Sequence, residues 1–240
     1  MSAPQAGSIA AVGNGSEGLY EAMFGYTYVG ADGKIASKFV VGTLDGSILV
    51  TGINWVFGAD TNYYFTDRSP VTGSGTFSQK VSMDGTYAYG GRSPSAFGPF
   101  TYNVANALAV GQDSVIGKWA NTDTSFGIAI AIEVDATGAY TGTMSGAQVG
   151  VCKISGTLTL AQPATAKNAY GFRVTAVNAA TTARDACKFD SALGFQGPAA
   201  ITFVPAGNFA SNGYFRSIAF LVHSRAGDGS SIAASLRKQP

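Results

Sequence analysis

A reaction in this chain would have to be assembled from few parts. His223 is its single histidine, so a Ser-His-Asp relay would need it as base, with Ser217 or Ser224 as nucleophile and an acid such as Asp228. It follows the apolar run Ala219-Phe220-Leu221-Val222, and no Gly-x-Ser-x-Gly nucleophile turn occurs in the chain. The simpler reading is a surface histidine at a strand end, and no catalytic residue is expected. Glu133 and Asp135, two positions apart on a strand, would share a face and offer a carboxylate pair for glycoside hydrolysis or cation binding. An acid just ahead of a turn needs no such role. Asp32, Asp45 and Asp84 likewise read as the first residues of Asp-Gly turns, where the carboxylate accepts backbone hydrogen bonds. Gly-rich phosphate loops and calcium loops are absent from the sequence, so neither a cofactor nor a metal site is expected.

Cys152 and Cys187 are the only cysteines. With one histidine they cannot build a four-ligand zinc site. Each sits beside predicted β structure, which favours a disulfide over two isolated buried thiols. A disulfide would place the protein in an oxidising compartment.

The strongest binding signal is aromatic. Tyr20, Phe24, Tyr26, Tyr28, Trp55, Phe57, Tyr63, Tyr64 and Phe65 crowd the first third of the chain. Core packing absorbs most of them, but an exposed subset would stack on sugar rings or form a protein-binding patch. Trp55, Tyr63, Tyr64 and Phe65 are the candidate binding residues. Successive side chains on a strand point opposite ways, so at least one of the last three should face outward.

These residues must be held by short strands. Of 240 residues, 32 are glycine, while 12% are charged and 46% hydrophobic, the balance of an ordered, turn-rich chain rather than a disordered one. The 15 basic and 14 acidic residues give a net charge of +1 and are scattered singly, which argues against a nucleic-acid partner. Arg68, Arg92, Arg173 and Arg216 read as ordinary strand-end or surface residues. No stretch is apolar for eighteen residues, so no transmembrane helix is expected. Residues 1–16 are small and polar, without an export signal's basic start and apolar centre. They fit a cytoplasmic protein or a mature exported chain, and the cysteines favour the second.

Runs of Val, Ile, Phe and Tyr recur every 8 to 14 residues between Gly-containing turns, too close for crossover helices, which implies hairpins. Strands are predicted over 19–29, 35–41, 47–51, 76–83, 100–104, 128–134, 152–160, 170–177, 183–189 (which carries Cys187), 199–204, 215–222 and 231–236, with shorter runs around Trp55, Tyr63 and Tyr87. Residues 90–99 read as an irregular connection and 104–110 as a turn of helix. In 152–160 the alternation puts Cys152, Ile154, Leu158 and Leu160 on one face, with a gap at Gly156. The predicted fold is all-β: a flexible leader over 1–17, an antiparallel barrel or incomplete barrel over 18–111, and a second, disulfide-bearing one over 112–240. Closing each unit removes sheet edges that would otherwise recruit other chains. One large β-sandwich is the alternative.

Gly18-Leu19-Tyr20 opens the first unit and Gly117-Lys118-Trp119 the second. With the Asp-Gly hairpins and the later cysteine pair, this pattern resembles a group of exported Gram-negative bacterial lipoproteins of unassigned function with two small β-barrel-like units. Ala22 and Asn121 stand where a second glycine is often found in that group, and the chain has no N-terminal cysteine. The resemblance implies the periplasm or the cell surface of such a bacterium, and a lipid anchor in the natural precursor. It transfers no catalytic residue. The expected function is a non-catalytic exported binding or assembly protein, with a protein or glycan partner and with homo-assembly compatible. The alternatives are a lipocalin-like carrier of a small apolar ligand and a hydrolase using acidic residues.

Overall fold

A computed structural model describes residues 3–23, 25–65, 67–121, 127–189, 192–205 and 214–240; Phe24 lies outside them. The chain divides into unit 1 (Met1–Val110, Ala164–Ala169 and Asp228–Ser231) and unit 2 (Gly111–Pro163, Tyr170–Gly227 and Ile232–Pro240). Both are closed antiparallel β-barrels.

Unit 1 is built from β1 (Gly18–Ala22), β2 (Gly25–Val29), β3 (Lys34–Lys38), β4 (Thr43–Thr51), β5 (Asn54–Phe57), β6 (Asn62–Tyr64), β7 (Arg68–Ser78), β8 (Ser82–Tyr89) and β9 (Ser95–Tyr102). Neighbouring strands pair in order, and β9 closes onto β1. One position of the circuit is shared: β5 and β6 both bridge β4 and β7. The circuit therefore has eight positions.

Several sequence boundaries move, each for a local reason. The strand expected over 19–29 folds back on itself as β1 and β2, with Ala22 opposite Gly25. Asp32-Gly33 makes the expected turn, Asp32 Oδ1 accepting the Lys34 N–H at 3.1 Å. Asp45-Gly46 and Asp84-Gly85 do not; they lie inside β4 and β8. Gly46 is needed where Thr61 crosses, since a Cβ there would stand 2.3 Å from Thr61 Cα. The actual reversal after β7 is at Gln79-Lys80-Val81, with Lys80 at φ 56°. Within the expected irregular connection, Ser95 already starts β9, and Gly98-Pro99 form a bulge where the β8 register shifts between Met83 and Gly85. Val104–Ala107 is a single 3₁₀ turn capped by Asn103.

Aromatic rings occupy the unit 1 interior. Tyr20, Trp55, Tyr63, Phe77, Phe97 and Phe100 are buried in one cluster with Leu44, Ile48 and Met83, and Phe39, Phe57, Tyr87, Tyr89 and Tyr102 pack against it. Phe39 stacks on Tyr87 with centroids 5.5 Å apart and planes 8° from parallel. Such rings fit because β7 and β8 offer backbone without side chains: Cβ atoms at Gly75 and Gly85 would stand 2.6 and 2.7 Å from Trp55 Cζ2. The residues ahead of β1, read from sequence as a flexible leader, pack on this barrel. Ser8 and Ile9 are buried, Gln5 and Ala10 donate backbone hydrogen bonds to Ala107 and Asn106, and Lys80 Nζ donates to Ala10 O at 2.8 Å.

Unit 2 is an eight-stranded meander: β10 (Gly117–Ala120), β11 (Ala129–Val134), β12 (Ala139–Gly146), β13 (Gly150–Leu160), β14 (Tyr170–Asn178), β15 (Phe195–Pro205), β16 (Tyr214–Ser224) and β17 (Ser231–Lys238). It closes as expected through the last strand, with Trp119 opposite Lys238 and Ala120 opposite Arg237. The interior is mainly aliphatic, with Ile130, Ile132, Val134, Met144, Ile154, Leu158, Val174 and Ile218 buried beside Trp119, Phe172 and Phe220. The gap at Gly156 is a slot. Tyr140, its partner across the strand pair, lies over it and donates its hydroxyl to Arg173 O at 2.8 Å. Cys152 on β13 bonds Cys187 with the Cα atoms 5.0 Å apart. Residues 183–189 form no named strand; a 3₁₀ turn (Ala183–Asp185) leads to a lone bridge between Ala186 and Val151.

Candidate functional site

The four aromatic candidates separate. Trp55 is buried in unit 1 and its Nε1 donates to Asp84 O at 3.1 Å; its ring meets Phe57 and Phe97 with centroids 4.9 and 5.2 Å away. Tyr63 is buried too, donates its hydroxyl to Val41 O, and packs 4.3 Å from the Tyr89 ring. Burial, reinforced by Tyr87 and Tyr89, pushes the Tyr63 phenol up to about 12. Tyr64 is half-buried, and only Phe65 stands open, at 59% exposure. Phe65 is open because it lies just past the end of β6 (Asn62–Tyr64) and not because of strand alternation, while Trp55 and Tyr63 are core side chains. Alternation in a strand says that faces differ, not which is inside. Pairing of Tyr63 with Leu44 on β4 settles that.

The polar candidates also separate. His223 is buried at 7% exposure on β16, rather than standing on the surface. Ser217 lies six residues away on the same strand, about 20 Å at strand rise, and its Oγ donates to Leu236 O at 3.0 Å. Asp228 caps its own turn, accepting the Ser230 N–H at 2.9 Å. This geometry makes no catalytic relay from Ser217. Glu133 is exposed on β11. Asp135 is occupied by its turn, Oδ1 accepting from Thr137 N and Oγ1 and from Ala139 N. Those hydrogen bonds, the Thr137 hydroxyl first, hold its carboxyl below the ordinary range. Among the described residues, no three His, Cys, Asp or Glu side chains gather as a metal site, and no helix is long and apolar enough to cross a membrane.

Two other places in unit 1 are suited to binding. One is the β4–β5 hairpin. Leu49 and Val56 are register partners and, with Ile53 at the turn, are 65%, 45% and 52% exposed. The interior-facing Ile48 and Trp55 flank them in sequence, so the outward direction follows from the period of two. The sequence carried this signal: Ile48-Leu49-Val50 is apolar on both faces, which a strand with one wet side does not require.

The other is a recess of about 370 Å³ at the barrel end that carries the β2–β3 turn. Gly13, Asn14, Ser16 and Glu17 form one wall, Gly30, Ala31 and Gly33 a second, and Val29, Ile48 and Val50 an apolar floor. Tyr20, reaching from the interior, donates its hydroxyl toward Gly15 O and Ser16 O, each at 3.1 Å, which holds the wall in place. Glu17 and Lys167 line the same recess. Lys167 Nζ lies 2.8 Å from Glu17 Oε1, with the side chains only 15% and 10% exposed. The contact is Coulombic rather than a directed hydrogen bond, and Oε1 is left with no hydrogen-bond partner. Burial, with the Glu17 charge second, raises the nearby Tyr102 phenol. Sequence alone did not single out Glu17 or Lys167, because 150 positions separate them and only the fold brings residues 164–169 to unit 1.

Comparison with known protein families, curated proteins and solved structures finds no match.

Proposed function

We propose that the protein is a non-catalytic exported binding protein whose partner is another protein, docked on the outer face of the β4–β5 hairpin. The observation that carries this reading is the register-paired exposure of Leu49 and Val56 beside Ile53. Aliphatic side chains held outward on a rigid strand pair offer apolar area at little entropic cost. A glycan platform would call for several open aromatic faces; Trp55 and Tyr63 are turned inward, which leaves Phe65 as the one open ring among the four candidates. A lipocalin-like carrier needs an enclosed cavity along the barrel axis, where unit 1 instead holds interlocked rings. The Cys152–Cys187 bridge supports an oxidising compartment, hence export.

A photo-reactive amino acid at Ile53, in the protein expressed in its source cells, tests the docking face. A discrete cross-linked protein is expected, lost when Leu49→Ser and Val56→Ser are combined. Because these side chains are exposed, that pair should change stability by no more than about 0.5 kcal/mol per site, checked by urea unfolding. Saturable one-to-one uptake of an apolar fluorescent probe that the Leu49/Val56 pair leaves unchanged, with no cross-linked protein, would favour the carrier instead.

A further inference from the structure

The recess at the end of unit 1 is a second place of different chemistry, and it does not depend on the docking face. It combines an apolar floor with two opposite charges at one side, the Lys167 and Glu17 side chains being 15% and 10% exposed. A buried ion pair is a weak source of stability, since desolvation offsets most of the attraction and a well-packed apolar pair often serves as well. Here it is also incompletely used: Glu17 Oε1 has no directed hydrogen bond although it is buried, and a buried acceptor left so carries a desolvation penalty. The wall of the recess thus holds a buried carboxylate oxygen with unspent acceptor capacity, beside an ammonium that can take more than one partner.

Charge balance selects the ligand. A simple carboxylate drawn to Lys167 would bring its charge against Glu17, and a simple amine drawn to Glu17 would meet Lys167. A molecule bearing both groups on adjacent atoms completes an alternating quartet, its ammonium on Glu17 and its carboxylate on Lys167, with no net charge added to the low-dielectric site. An aliphatic side chain on the same carbon would lie on Val29, Ile48 and Val50. The volume of about 370 Å³ is near the small end of ligand pockets, which suits one small molecule. We propose that this recess binds a free aliphatic α-amino acid.

Isothermal titration of the 240-residue chain with L-leucine tests this directly. One-to-one binding is expected. On the same unaltered protein, 4-methylpentanoate and 3-methylbutylamine, which each lack one charge, should bind at least about tenfold more weakly, a difference of about 1.4 kcal/mol. Glu17→Gln and Lys167→Met should each weaken leucine by a similar factor, with circular dichroism confirming that the variants keep the sheet. The proposal is overturned if leucine shows no saturable binding up to about 10 mM, if either single-charge analogue binds as well as leucine, or if both folded variants retain full affinity. The analogue comparison uses only the unaltered protein, so it decides the matter even if a variant fails to fold.

Discussion

The two barrels close the same number of positions but fill them differently. In unit 1 the interior is a network of rings, and accommodating them takes glycine on the facing backbone, as at Gly75 and Gly85 beneath Trp55. It also coincides with a divided strand position, where β5 and β6 share the space between β4 and β7. In unit 2 each strand pairs with the next without division, and branched aliphatic side chains alternate inward along regular strands, as in β11. Gly156 beneath Tyr140 applies the ring-and-glycine device there locally. Rings are wide and flat, so they fit a narrow barrel only where the opposite strand gives up its side chain; aliphatic groups interdigitate without that concession. Glycine adds chain entropy to the unfolded state, and unit 2 instead carries the cross-link that restricts it.

The largest effect should come from the ring network. Trp55→Ala removes a fully buried indole and is expected to destabilise unit 1 by about 3–5 kcal/mol. Trp119 is then the sole tryptophan and reports unit 2 by fluorescence, while near-ultraviolet circular dichroism follows the tyrosines. Its urea midpoint should stay near the parent value. A matching drop in both transitions would show that the units unfold as one and would erase the distinction.

A smaller effect, in the other unit, is expected on removing the cross-link. Combining Cys152→Ser with Cys187→Ser should cost about 2–4 kcal/mol, the scale for opening a loop of this length. The Trp119 transition should move and the Trp55 environment should not, which single-tryptophan variants would resolve.

The smallest effect per group is alkaline. Burial raises the phenols of Tyr20, Tyr63 and Tyr102 in unit 1, and those of Tyr140 and Tyr170 in unit 2. Each is protonated in both states below about pH 10. Above that, the unfolded chain loses its proton first, so stability falls as pH rises toward the folded value, about 12 for Tyr63. By about pH 10.7 the loss should approach 1 kcal/mol per buried tyrosine. Unit 1, with more such groups, should soften first in thermal melts between pH 9 and pH 11, endpoints set by the model-compound range of about 10. Simultaneous softening would argue that the rings are less sealed than their packing implies.

Much of the architecture was legible because it is local. Alternation through Cys152, Ile154 and Leu158 marks an inward face, and β13 buries those residues. The gap at Gly156 marked a place that needed an explanation, which Tyr140 supplies. Asp-Gly was a less reliable sign. The same dipeptide makes a turn at Asp32-Gly33 and lies within strands at Asp45-Gly46 and Asp84-Gly85, since glycine also serves where another chain or ring comes close. The aromatic candidates show the same limit from the other side: residue type made Trp55 attractive for binding, and packing used it for the core.

By itself the sequence determined the all-β class and the hairpin connections, because side-chain period and turn spacing act over short distances; it favoured pairing of the two cysteines, and the fold decided it by bringing their Cα atoms to 5.0 Å. The tertiary structure decided which aromatics are interior, that residues 5–17 lie against the first barrel, and that Glu17 meets Lys167. Those outcomes depend on which distant segments share a surface. That is settled by closure of the strand circuit and exclusion of water from its interior, and neither is written in any one stretch of residues.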